Sequence, residues 1–161
     1  MFTLTKKTDY AIIALSYIAQ KDAGVITTAR EIAERYTLPP ALLVNVLKSL
    51  CHGELVRSTR GTKGGYSLAV PAEGITLADI IDAIEGPVRF VQCSGDHTGP
   101  EGNCDLLHSC PVTRPVRKVH DRLVEFLGQI TLAQIAFDSE FGDRGVALSR
   151  EGAKLRTETA S

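Results

Sequence analysis

The stretch PALLVNVLKSLCHGELVRSTRGTKGGYSLAV, residues 40–70, decides the fold. It opens with Pro40, which suits the first turn of a helix because it has no N–H to leave unpaired there. A helix over Pro40–His52, wound at about 3.6 residues per turn, places Leu43, Val46, Leu47 and Leu50 on one face, read as core. Ala41, Val44, Asn45, Lys48 and His52 fall on the opposite face. Leu55–Thr59 then reads as a strand, residues 60–65 as a glycine-bearing loop and Tyr66–Val70 as a returning strand. Gly64 and Gly65 are expected to supply positive φ for a tight turn.

Upstream, Lys6–Gln20 is rich in Ala, Ile and Leu with no Gly or Pro, and predicts a helix that ends in the polar residues Lys21–Gly24. Its apolar positions run nearly all round, the pattern of a helix buried on several sides. Thr27 or Thr28 can cap a short helix Ala29–Tyr36, with Glu31 near the capping-box position. Thr37-Leu38-Pro39-Pro40 breaks that helix. Two short helices joined by a tight turn and followed at once by a basic hairpin make a winged helix-turn-helix.

Downstream, Thr76 can cap a helix Leu77–Glu85 closed by Gly86-Pro87. A three-cysteine loop follows, then a long helix from about Pro111 to Ile130. Along that helix Val112, Val116, Val119, Leu123, Phe126 and Ile130 form a heptad-like seam that predicts pairing with a second copy. The expected class is therefore mainly α with a small β-hairpin wing, a winged helix-turn-helix plus a long dimerisation helix. Its parts are a DNA-binding domain over residues 1–87, a cysteine-rich loop over 88–110, a dimerisation region over 111–137 and a polar tail over 138–161.

The 161 residues carry a net charge of −1, but the charge is unevenly placed. Residues 1–70 hold nine Lys or Arg against five Asp or Glu, and the remainder holds nine against fourteen. The basic half is the winged half, as a DNA-binding unit requires. The longest mostly apolar run, Tyr10–Ala19, is about half the length of a membrane span, and no basic leader with a cleavage site stands at the N-terminus. Cytoplasmic location and no membrane partner are expected, and with them reduced cysteines. No Ser/His/Asp arrangement, phosphate loop or Cys-x-x-Cys supports an enzyme.

On the outward face of the Pro40–His52 helix, the Asn45 amide can pair with an adenine edge, Lys48 can reach guanine or phosphate, and Ala41 and Val44 can meet a thymine methyl. In the wing, the Arg60 guanidinium suits a narrow minor groove, while Arg57 and Lys63 suit phosphates.

Cys93, Cys104 and Cys110 lie within eighteen residues among Gly95, Gly99, Pro100 and Gly102, so three thiolates can converge. Three soft ligands suit an iron-sulfur cluster or zinc, with His97, His108, His120 or Asp9 open as the fourth. A thiol switch between Cys104 and Cys110 is the alternative use of the same sulfurs. Cys51, at the end of the second winged-unit helix, reads as a small buried hydrophobe.

Leu4-Thr5-Lys6-Lys7-Thr8-Asp9-Tyr10-Ala11, Leu55-Val56-Arg57-Ser58-Thr59-Arg60-Gly61 with Gly64-Gly65-Tyr66-Ser67-Leu68-Ala69, and the cysteine loop before a long helix resemble the IscR and NsrR family of bacterial iron-sulfur transcriptional regulators. The resemblance spans about residues 2–137 and implies a homodimer with crossing long helices. It also implies a cluster, 2Fe-2S or 4Fe-4S, held by the three loop cysteines and governing affinity for a palindromic double-stranded operator. Thr113 stands where IscR-like members carry a ligating histidine, whereas Asp9 matches the acidic ligand that NsrR-like members take from the partner subunit. Ten residues separate Cys93 from Cys104 and five separate Cys104 from Cys110, a wider first gap than in the family. The recognition helix carries Val44 where the family has a polar side chain. The implied function is a dimeric repressor sensing redox state, nitric oxide or iron supply, with structural zinc or a thiol–disulfide switch as the alternative.

Overall fold

The computed structural model describes residues 4–89 and 110–137. In chain order they form α1 (Lys6–Ala19), α2 (Ala29–Tyr36), α3 (Pro40–His52), β1 (Val56–Thr59), β2 (Gly65–Leu68), a 3-10 turn (Ala72–Gly74), α4 (Leu77–Glu85), α5 (Thr113–Gln129) and α6 (Leu132–Phe137). The arrangement is mainly helical with one antiparallel hairpin, as expected for a winged helix-turn-helix.

The apolar positions all round α1 place it at the centre. Ala11, Ala14, Leu15 and Ile18 are buried, and α1 packs on α3, α4, α6 and β2. Leu43, Val46, Leu47 and Leu50 of α3 are also buried in this core, the face the helical period assigns to it. Thr28 rather than Thr27 caps α2, accepting the Glu31 N–H at 3.1 Å. Glu31 does not close a capping box. Its carboxylate accepts the Tyr17 hydroxyl at 2.7 Å and pairs with Lys21 Nζ at 3.1 Å, which fastens α2 to α1. Thr27 instead pairs with the wing through Thr27 N–H to Tyr66 O at 2.9 Å and Tyr66 N–H to Thr27 O at 2.8 Å. The hairpin is thus anchored on its β2 side to the chain entering α2.

The long helix expected from about Pro111 to Ile130 is present as α5, and the short helix that follows it has no counterpart in the sequence pattern. α5 ends at Gln129, and a separate α6 starts after Thr131. Thr131 and Gln134 form a reciprocal cap, with Thr131 N–H donating to Gln134 Oε1 at 2.8 Å and Gln134 N–H to Thr131 Oγ1 at 3.2 Å. Beside it, Thr76 and Asp79 form the same device at the start of α4. The two caps are stitched together by Leu77 N–H to Ile130 O and Leu132 N–H to Ile75 O, both 2.8 Å. α6 then packs on α1, where Gln20 Nε2 donates to Ala136 O at 2.9 Å.

The heptad-like seam of α5 divides into two faces. Leu127 and Ile130 are buried and Val116 and Leu123 half-buried, on the side that meets α4. Val112, Val119 and Phe126 remain 53, 52 and 45% exposed. A spacing of seven residues between each keeps these three in one stripe along the helix.

Glu85, the last residue of α4, ties the start of α1 to the point where the chain leaves for the cysteine loop. Its Oε1 accepts the Thr5 N–H at 3.1 Å, the Thr8 hydroxyl at 2.7 Å and the Thr5 hydroxyl. The Thr5 hydroxyl, then that of Thr8, holds the carboxyl below its ordinary value of 4.5. This contribution to stability is complete above the ordinary value and disappears as pH falls through the lower folded one. Glu85→Gln is therefore expected to flatten the acid side of the stability curve, a difference read from thermal melts between about pH 3 and pH 6.

Candidate nucleic-acid interface and metal centre

The turn between α2 and α3 is made by Thr37, whose φ of 53° is left-handed, and Leu38 N–H closes onto Ala33 O at 3.0 Å. Pro39 and Pro40 then start α3. With its inward face buried, α3 turns Ala41, Asn45, Lys48 and His52 to the exterior and leaves Val44 half-exposed at their centre. The outward face is the one assigned to base reading.

β1 and β2 pair in the register Val56↔Leu68, Arg57↔Ser67, Ser58↔Tyr66 and Thr59↔Gly65. Val56 is buried, and Arg57, Ser58 and Thr59 after it are exposed. Arg60 and Lys63 are exposed on the loop beyond Thr59. In the chain only the short connection Gly53–Leu55 separates α3 from the hairpin that carries the three basic groups.

The wing glycines work differently from the expectation. Gly61 carries the positive φ, 117°, whereas Gly64 and Gly65 do not. A Cβ on Gly64 would lie 2.4 Å from Thr59 O, and one on Gly65 would lie 2.6 Å from Thr27 O and 2.7 Å from Ile26 Cγ2. Close approach of backbone, rather than handedness, requires glycine at both. Gly65→Ala is expected to destabilise the protein by about 1–3 kcal/mol by prising β2 from Thr27, measured by denaturant unfolding. Gly61→Ala meets no atom and is expected to cost about 1 kcal/mol from its φ alone.

Cys110 lies just ahead of α5, half-buried and not in a disulfide. The Thr113 hydroxyl first, then the Val112 N–H, holds its thiol below the ordinary value. That favours the thiolate, the form that binds metal. The single proton of the Thr113 hydroxyl is shared between that sulfur and Cys110 O, which the hydroxyl meets at 3.2 Å. In the sequence Thr113 stands out only as the replacement of a histidine, and its effect on the neighbouring thiol is legible only from the folded turn. Asp9 is exposed in the first turn of α1, one residue from the Glu85 contact at Thr8. His120 is on α5 with Nδ1 buried and unpartnered. Cys93, Cys104, His97 and His108 lie outside the described residues, and among the described residues no three His, Cys, Asp or Glu side chains converge on one point.

Cys51 is the opposite case. Burial pushes its thiol up, against a weaker hydrogen bond from Ser58, and it packs on the core at the end of α3. It behaves as the small hydrophobe its position predicts.

A family model described as Rrf2, iron-dependent transcriptional regulator, matches residues 4–138. A Mycobacterium tuberculosis protein named as an HTH-type transcriptional regulator is 32% identical over 136 residues, 83% of this chain and 80% of its own. Among solved structures, CymR, the global cysteine regulator of Bacillus subtilis, superposes with a TM-score of 0.66 at 27% identity, covering 84% of this chain and 97% of its own. IscR of T. potens superposes with a TM-score of 0.63 at 29% identity, covering 88% and 91%. Among the described residues no helix is long and apolar enough to cross a membrane.

Proposed function

The chain belongs to the Rrf2 family of transcriptional regulators, and we propose that within it this protein is a homodimeric repressor that senses redox state, nitric oxide or iron supply through an iron-sulfur cluster. The carrying observation is the match of residues 4–138 to an iron-dependent regulator family, together with Cys110 at the head of the helix that bears the exposed apolar stripe. Cys93, Cys104 and Cys110 would supply the three sulfur ligands, and Asp9 of the partner subunit an oxygen ligand. When bound, such a cluster supplies electron exchange and open coordination to small reactive molecules. An oxygen ligand holds iron less firmly than thiolate does, which makes Asp9 the position to open.

The chain's own part is transmission. Cys110 stands at one end of α5, and the other end is hydrogen-bonded to the winged unit at Ile75–Leu77. A helix held at its far end turns a displacement at Cys110 into a change in how two winged units are set against one another. Both half-sites of a palindromic operator are gripped only at one setting. Asn45 and Lys48, with Ala41 and Val44, would read the major groove. Arg57 and Lys63 would hold phosphates and Arg60 would enter the minor groove.

The same thiolate bias suits a Cys104–Cys110 disulfide switch, and metal content separates the two readings. Protein purified without oxygen is expected to show broad visible absorbance with iron and acid-labile sulfide. Colourless protein with zinc or no metal would overturn the cluster. Arg60→Ala is expected to weaken operator binding and lower the salt slope by about 1, and an unchanged slope across a salt titration would remove Arg60 from the interface.

A further inference from the structure

An open cavity of about 510 Å³ lies between the end of α1, the loop Asp22–Val25, the outer face of the hairpin and the turn Ala72–Gly74. Its volume falls in the range of small-molecule sites. The register pair Arg57 and Ser67 forms one wall, and Phe137, the last residue of α6, stands at the edge. Val25, Val70 and Phe137 are exposed apolar side chains that all line it. On this molecule such exposure otherwise concentrates on α5, the face assigned to a second copy.

The charges around the cavity are mixed. Lys21 is committed to Glu31 at 3.1 Å and to the face of Tyr17 at 4.5 Å. Arg57, Asp22 and Glu73 all line the cavity and make no ion pair among the described residues. A ligand that matches this lining carries an anion for Arg57, a cation for Asp22 or Glu73, and an apolar body for Leu68, Val70 and Phe137.

We propose that this cavity is an effector site for a small zwitterion with an apolar side chain, the chemistry of a free aliphatic or aromatic α-amino acid. Occupancy would engage Arg57 and withdraw it from DNA phosphate, so the ligand acts as an anti-binder at the wing. That consequence rests on the proposed phosphate contact of Arg57. The site itself does not.

Thermal melts of the full chain without DNA test the site directly, with L-phenylalanine, L-leucine, phenethylamine and 3-phenylpropionate as probes. At ten times its dissociation constant an amino acid is expected to raise the midpoint by about 3 °C. The amine lacking carboxylate and the acid lacking ammonium are expected to give no shift. Arg57→Gln, and Asp22→Asn combined with Glu73→Gln, all exposed changes, should each abolish the amino-acid shift while leaving the unliganded midpoint in place. No shift with either amino acid, an equal shift from phenethylamine or 3-phenylpropionate, or a shift that survives in both variants would overturn the proposal. A shift without any loss of operator affinity would retain the site and remove Arg57 from the phosphate contacts.

Discussion

Cys110→Ala is expected to abolish the proposed cluster, with its iron and acid-labile sulfide, while leaving the helical circular dichroism unchanged. The side chain is half-buried ahead of α5 and outside the central core, so removing its sulfur opens no cavity among Leu15, Leu47 and Leu50. What it removes is a thiolate that the Thr113 hydroxyl and Val112 N–H favour before any metal arrives. Thr113→Val, which keeps the shape and deletes the hydroxyl, should retain colour but bind iron more weakly at neutral pH and recover as pH rises. Colour retained in full by Cys110→Ala would refute the assignment of this thiol as a ligand.

On the proposed dimer, Phe126→Glu is expected to give a monomer and to lower operator affinity by about a hundredfold or more, because two half-sites then bind independently. Val112, Val119 and Phe126 form an apolar stripe that the described chain does not cover, and a charge buried there against a second copy would be unpaired. The same change costs a monomer little, since Phe126 packs on nothing in the core cluster. Analytical ultracentrifugation checks the first effect and a binding titration the second. A dimer that survives Phe126→Glu with full affinity would place the subunit contact elsewhere.

The sites of these two substitutions were not equally visible before folding. Cys110 is conspicuous as the third cysteine of a glycine-bearing loop, whereas the conclusion that Phe126 faces outward while Leu127 and Ile130 face inward needs the neighbours of α5 to be known. A period of 3.5 marks Val112, Val116, Val119, Leu123, Phe126 and Ile130 as one apolar set. It cannot say that α4 takes only one flank of it. The wing glycines follow the same rule. Residues 61–65 announce a loop by composition, but glycine is demanded at Gly65 by Thr27 O, which lies thirty-eight positions away in the chain.

The sequence by itself determined the helices α1 to α5 and the face that α3 buries. The bounds of α3 and α4, the Thr76 cap and the burial of Leu43, Val46, Leu47 and Leu50 follow from local pattern, interactions that close within a turn or two of helix. Only the tertiary structure decided where the elements meet. Glu85 reaching Thr5 and Thr8, Ile130 receiving Leu77 N–H, the cavity beside Arg57 and the division of α5 into two faces all join residues far apart in the chain. No local pattern encodes these contacts, because each depends on packing that exists only once the core around α1 has formed.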